Sequence, residues 1–307
     1  MRLLTGWALG VALVLAGCAA APPAAAPRYV VGEGYQLGGV WSYPREDFQL
    51  IQTGLASVAA DARAGRRTAN GEIHDPALLT AAHRTLQLPA ILQVTNLENG
   101  LQIELRVNDR GPASPGRVLE LSRRAGELLG VARGATPRIR MEVQAAPSRA
   151  LAAGLPQPEA SRLEIAAAPV AGVQREDLAP PPGAVQATRL REARPLPGQR
   201  ATAVGSAAPT APPARMPERV TRTTPAPGRL FVEGATFTRR DMADRQAARL
   251  SGLGARAEQI GAGGRGRNAT SATFRVRIGP LSSVAAADRA LEQSLRAGVS
   301  EARILVD

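Results

Sequence analysis

Cysteine is almost absent from this 307-residue chain. Cys18 is the only one, which excludes intramolecular disulfides and any cysteine-built metal cluster. Lysine is missing altogether, so every one of the 38 basic residues is arginine. The two histidines, His74 and His83, are too few for a multi-histidine metal site; no metal and no cofactor is expected. Aromatic residues make up only 3% of the chain, so the arginines behind its net charge of +12 lack the interleaved rings of a nucleic-acid surface. Nucleic acid is therefore not an expected partner. The Arg, Ala, Gly and Pro excess reads as the bias of a GC-rich genome, with some attraction for anionic lipid or cell-wall carboxylates. No apolar run is long enough to span a bilayer. The uncharged stretch Leu3 to Ala16, preceded by Arg2, falls short of the roughly 20 residues a spanning helix needs.

That stretch closes on Leu15-Ala16-Gly17-Cys18, small residues as at a signal-peptide cleavage site. The four residues resemble the lipobox of bacterial lipoproteins. The resemblance implies cleavage before Cys18, lipidation of its sulfur and enough acyl chains for stable anchoring. Ala19, where an Asp would favour retention in the inner membrane, points to the outer one.

Composition then divides the chain. Residues 1–17 read as signal peptide, 18–34 as an Ala/Pro tether, 35–146 as a first patterned domain and 228–307 as a second. Between the domains, 147–227 holds 15 of the 25 prolines. It cannot bury enough apolar surface to offset its chain entropy and is expected to be a disordered linker.

In the first domain one hairpin stands out. Ile91 to Thr95 reads as a strand, Glu98-Asn99-Gly100 as its turn and Leu101 to Asn108 as the return. There Leu101, Ile103, Leu105 and Val107 alternate with Gln102, Glu104, Arg106 and Asn108. Ser122 is placed to cap a short helix stopped by Gly130, and Arg138 to Val143 reads as a last strand. Mostly strands with one or two short helices suggest a small barrel.

Three segments in this domain set ionisable side chains in turns: Gly65 to Glu72, Leu79 to Leu86 and Val107 to Pro112. Polar groups on loops held by a scaffold are frequent functional positions. Together with the hairpin, these segments resemble the landmarks of the rare lipoprotein A family, lytic transglycosylases of the bacterial cell wall. The landmarks are Thr68-Ala69-x-Gly71-Glu72, Ala81-Ala82-His83-Arg84-Thr85-Leu86, Val94-Thr95-Asn96-Leu97-x-Asn99-Gly100 and Asn108-Asp109-Arg110-Gly111-Pro112. The resemblance covers about residues 35–145, including the leader Trp41 to Phe48, and implies a double-psi β-barrel.

The resemblance carries Glu72, His83 and Asp109 over as catalytic residues. Asp109 is the expected acid/base, with Glu72 and His83 raising its pKa, orienting it or binding sugar. The expected substrate-binding set is Arg67, Thr68, Arg84, Asn108 and Arg110. These arginines, with Arg66, either contact glycan carboxylates or line the groove. His74 matches no landmark and reads as a surface residue.

The chain departs from the family in four places, one being Ala113, where Phe often follows Pro112. Ser57-Val58-Ala59 lacks the usual aromatics, Arg63-Ala64 replaces an aromatic-His pair, and Glu120 stands where Asp is usual.

Residues 229–307 read as strand, helix, strand, strand, helix, strand. They resemble a SPOR domain, a small α+β ferredoxin-like module that binds glycan lacking stem peptides. Phe274-Arg275-Val276-Arg277-Ile278-Gly279-Pro280 is the most telling piece. Phe231, Phe237, Phe274, Arg275 and Arg277 are the expected glycan-binding residues. Glu233 stands where an amide is usual.

The resulting expectation is a lipid-anchored envelope enzyme on the periplasmic face of the outer membrane, enriched at the septum. It would cut the MurNAc–GlcNAc bond of stem-peptide-free peptidoglycan strands to leave 1,6-anhydro ends. Its partners would be glycan strands, the membrane through Cys18, and division-site proteins. The alternative is a non-catalytic wall-binding lipoprotein on the same two folds.

Overall fold

The computed structural model describes residues 24–157, 215–260 and 272–307. Cys18, the signal peptide and most of the expected linker lie outside these residues. The first domain runs β1 (Tyr35–Leu37), β2 (Val40–Ser42), β3 (Ile51–Val58), β4 (Thr80–Ala82), β5 (Ala90–Asn96), β6 (Leu101–Asp109), β7 (Arg117–Leu121), α1 (Arg123–Leu128), β8 (Arg138–Val143) and α2 (Ala145–Ala153), with β9 (Val220–Arg222) added late. Strands β4-β7-β3-β8-β5-β6 form a ring, closed by β4 pairing parallel with β6. This is the expected barrel, and closure leaves the ring without an open edge.

Alternation along β6 decides what points inward. Ile103, Leu105 and Val107 are fully buried, in one core with Leu92, Val94, Leu119, Leu121, Ile139 and Met141. The β5–β6 turn uses Gly100 at φ +75°, a conformation free of cost only for glycine. Ser122 caps α1 by accepting from Ala125 N at 3.2 Å.

Both margins of the expected linker are structured. Helix α2 docks on β5 through Ser148, whose Oγ accepts from Ile91 N at 2.9 Å. Strand β9 pairs with Leu101–Ile103 of β6. The expected tether is also partly bound: Ala26 N and Arg28 N donate to the carbonyls of Gly71 and Asn70, at 2.9 and 2.8 Å. Tyr29, 5% exposed, is buried with its hydroxyl on Glu46 Oε1. Proline-rich composition marked these segments as chain, but docking onto an existing barrel supplies the partners that composition cannot show.

The second domain is β10 (Leu230–Phe237), α3 (Arg240–Arg249), β11 (Arg256–Ile260), β12 (Thr273–Leu281), α4 (Val284–Arg296) and β13 (Arg303–Val306). Its antiparallel sheet is ordered β11-β12-β10-β13, and its core joins Leu230, Val232, Val276, Ile278 and Ile304 of the sheet to Ala287 and Leu291 of α4. Ser283 caps α4 by accepting from Ala286 N. Arg117 on β7 meets Asp288 on α4 with both guanidinium nitrogens, at 2.5 and 3.0 Å.

Candidate active site

Asp109 is the last residue of β6, where the strand leaves the barrel wall. It is 8% exposed. Its Oδ1 accepts from Ala69 N at 2.9 Å and Arg110 N at 2.8 Å, and its Oδ2 accepts from the Arg63 guanidinium. Arg63 also reaches Glu120 Oε2 at 3.5 Å, so one guanidinium bridges two carboxylates. These three side chains line a narrow pocket with His74, Thr80 and Asn108.

Glu72 does not touch Asp109 directly. Its carboxylate accepts from Asn70 Nδ2 at 3.0 Å, Asn108 Nδ2 at 2.9 Å and Arg106 at 2.9 Å. Through Asn108 it pins the end of β6 to the turn at 66–74. Gly71 makes that turn at φ +88°, and a Cβ there would lie 2.1 Å from Ala26 O. The glycine thus admits the leader as well as the turn.

His83 is buried, 4% exposed. Its Nδ1 accepts from Thr85 N at 3.2 Å and Leu86 N at 3.0 Å. Burial, then the positive charges of Arg110 and Arg84, lower its pKa to about 3, so it stays neutral. Its backbone N donates to Asp109 O at 3.0 Å, so it positions the aspartate from behind.

The expected substrate-binding residues hydrogen-bond to other groups of the chain, Arg67 from an exposed position. Arg84 donates to Leu37 O at 3.1 Å and Ala113 O at 3.3 Å. Arg110 donates to the carbonyls of Leu86 and Val31. Burial lowers the pKa of both guanidinium groups. Arg67 donates to Ala24 O at 2.6 Å, and the buried Thr68 hydroxyl donates to Asn70 Oδ1 at 2.8 Å. A larger groove, about 410 Å³, lies between Arg67–Gly71 and the leader at Ala26–Arg28.

His74 is not a surface residue. It is 8% exposed and its Nε2 has no hydrogen-bond partner. Burial first, then Arg63, lowers its pKa. No local pattern marks it; the turn at 66–74 folds it inward. Arg63 and Glu120 were visible in the sequence only as departures, and the structure makes them partners of Asp109.

In the second domain the expected glycan-binding residues split between two faces. Phe237 and Phe274 are register partners packed against the core. Arg275 and Arg277, one residue out of phase on β12, belong to the other face. There Arg277 stacks on Phe231, 4.0 Å from the ring centroid, and pairs with Asp307 at 2.9 Å. Buried Glu233 pairs with Arg303 at 2.6 Å and Arg275 at 3.7 Å.

Comparison with known proteins matches both domains. A lytic transglycolase family model covers residues 52–141 and a SPOR domain model residues 226–304. Two strains of Pseudomonas aeruginosa carry proteins named endolytic peptidoglycan transglycosylase RlpA. They are 33% and 34% identical, over 81% of this chain and 69% of theirs. The chain belongs to the RlpA family of endolytic peptidoglycan transglycosylases. Its barrel is the family's double-psi β-barrel and its C-terminal module is a SPOR domain. Membership makes it a peptidoglycan-associated protein of the cell envelope. A Yersinia pestis relative with the same name is 43% identical across 38% of this chain and 34% of its own length. The crystal structure of the RlpA SPOR domain from Pseudomonas aeruginosa matches with TM-score 0.21 and 24% identity, over 25% of this chain and 99% of that one.

Proposed function

We propose that the chain is a lytic transglycosylase that cleaves the MurNAc–GlcNAc β-1,4 bond, with Asp109 as its acid and base. One carboxyl group suffices. Asp109 gives a proton to the leaving glycosidic oxygen, the C1–O bond breaks, the muramoyl C6 oxygen bonds to C1, and the C6 hydroxyl proton returns to Asp109. No water is consumed and a 1,6-anhydro end forms, which departs from the two-carboxylate hydrolase scheme. The supporting observation is the placement of Asp109: Oδ1 is fixed by two backbone N–H groups, while Oδ2 faces the pocket and meets only a partly exposed side chain, Arg63. Glu72 and His83 serve as positioning residues, one through Asn108 and one through its backbone N–H.

The SPOR domain would recruit the barrel to stem-peptide-free strands at the septum. Cys18 would carry the lipid that anchors the chain to the outer membrane, and division-site proteins are compatible partners. The test uses the full chain in detergent with amidase-treated sacculi, 1,6-anhydro ends being counted by mass spectrometry. The expected result is product from the native chain and none from Asp109→Asn. Product unchanged by Asp109→Asn would overturn the acid assignment. Binding without product from the native chain would favour the wall-binding alternative.

A further inference from the structure

The chain has nine aromatic residues (Phe 4, Trp 2, Tyr 3). Two of the nine stand together in solvent. Trp41 is 59% and Tyr43 69% exposed. Their ring centroids lie 6.3 Å apart with planes 15° from parallel. They are two residues apart across the end of β2, so they leave the strand on the same side. Tyr43 lies on bare backbone, since a Cβ at Gly34 would come within 2.9 Å of its ring. Leaving two such rings side by side in water sacrifices apolar burial.

The hairpin that carries these rings is tied to the active-site loop. Arg84 joins Leu37 O in the hairpin to Ala113 O, four residues past Asp109. Tyr35 Oη donates to Arg84 O at 2.8 Å. A Cβ at Gly38 would overlap Ala113 O at 1.8 Å, so hairpin and loop are in backbone contact.

We propose that Trp41 and Tyr43 form a sugar-stacking subsite for pyranose rings of the glycan strand entering or leaving the Asp109 pocket. The apolar C–H faces of pyranose rings lie flat on aromatic rings, and each exposed ring offers such a face. The subsite rests on the transglycosylase reading for its substrate.

The test uses the full chain in detergent with a Trp7→Phe substitution, which leaves Trp41 as the single tryptophan. Titration with peptide-free glycan strands is expected to quench or shift Trp41 emission in a saturable way, also in the inactive Asp109→Asn form. The double variant Trp41→Ala, Tyr43→Ala is expected to raise KM on the order of tenfold with kcat nearly unchanged, as for lost ground-state contact. Thermal melting checks that these exposed substitutions leave the fold intact. Unchanged emission at glycan concentrations that saturate turnover overturns the subsite, as does an unchanged KM. Emission shifted by phosphatidylglycerol vesicles but not by glycan also overturns it, in favour of a membrane contact. If the native chain makes no anhydro product, the transglycosylase reading fails, while the fluorescence titration still decides the subsite.

Discussion

Asn108 donates from Nδ2 to Glu72 Oε2 at 2.9 Å, and Asn108 immediately precedes Asp109 on β6. The contact couples two acids that do not touch, by holding the turn of one against the strand of the other. Glu72 also neutralises Arg106, whose side chain is 7% exposed. Glu72→Ala takes a carboxylate from a buried guanidinium and should cost about 3 kcal/mol. Glu72→Gln keeps the shape and should cost less, with kcat lowered more than KM. Urea melts and anhydro-product kinetics on both variants check this; a Glu72→Gln enzyme with native kcat rules out the positioning role.

Arg63 occupies Oδ2 of Asp109, the oxygen from which the proton must leave. Substrate therefore has to displace it. Its side chain is 35% exposed, so Arg63→Gln should change stability by less than about 1 kcal/mol. Turnover of peptide-free glycan should rise a few-fold, because one competing contact is gone. Loss of activity in a folded Arg63→Gln chain would show instead that the guanidinium works in the transition state.

His83 gives the barrel an acid-side weakness. The folded group takes up its proton only near pH 3, against an ordinary value of 6.5. Between those values the unfolded chain binds more protons, so stability is full above about pH 6.5 and falls as pH drops toward 3. The slope is up to about 1.4 kcal/mol per pH unit. His83→Asn, whose Oδ1 can replace the acceptor Nδ1, should flatten that slope. Melts at pH 7, 6, 5 and 4 read it directly.

The leader is expected to stabilise the barrel rather than hang from it. Tyr29→Ala removes a buried ring and should cost about 3 kcal/mol. Gly71→Ala forces a Cβ into Ala26 O and strains a left-handed turn. It should loosen the leader, seen as faster hydrogen exchange at residues 26–31. Native exchange there in Gly71→Ala would count against the docked leader.

Glu233 ties down Arg275 and Arg303 on the sheet face away from the helices. Glu233→Gln should release both guanidinium groups and strengthen binding to peptide-free sacculi a few-fold at low salt, with the gain fading as salt screens it. Sacculus pull-down at two ionic strengths measures it; weaker binding at low salt would show that the carboxylate itself contributes to recognition.

The barrel hairpin, the cap at Ser122 and the six elements of the SPOR domain were legible in the sequence, because each rests on local alternation, capping or turn chemistry. The double-psi topology was legible only through the family resemblance, since the β4–β6 closure joins strands some twenty residues apart with no local signal. The candidate site was legible in part. Asp109, Glu72 and His83 stood out by motif, but a motif carries no information on which neighbour each side chain meets.

By itself the sequence determined the chain's family resemblance and its two-domain division, and it singled out Asp109 as the candidate acid. Tertiary structure alone decided the roles. It turned His74 inward, set Arg63 across Asp109 and Glu120, and spent Arg84 and Arg110 on backbone carbonyls. It also bound part of a proline-rich leader to the barrel and left Trp41 and Tyr43 in solvent. The physical reason is common to all of these. Hydrogen bonds, ion pairs and burial act through space, between groups that chain closure brings together, and the order of residues along the chain does not record those distances.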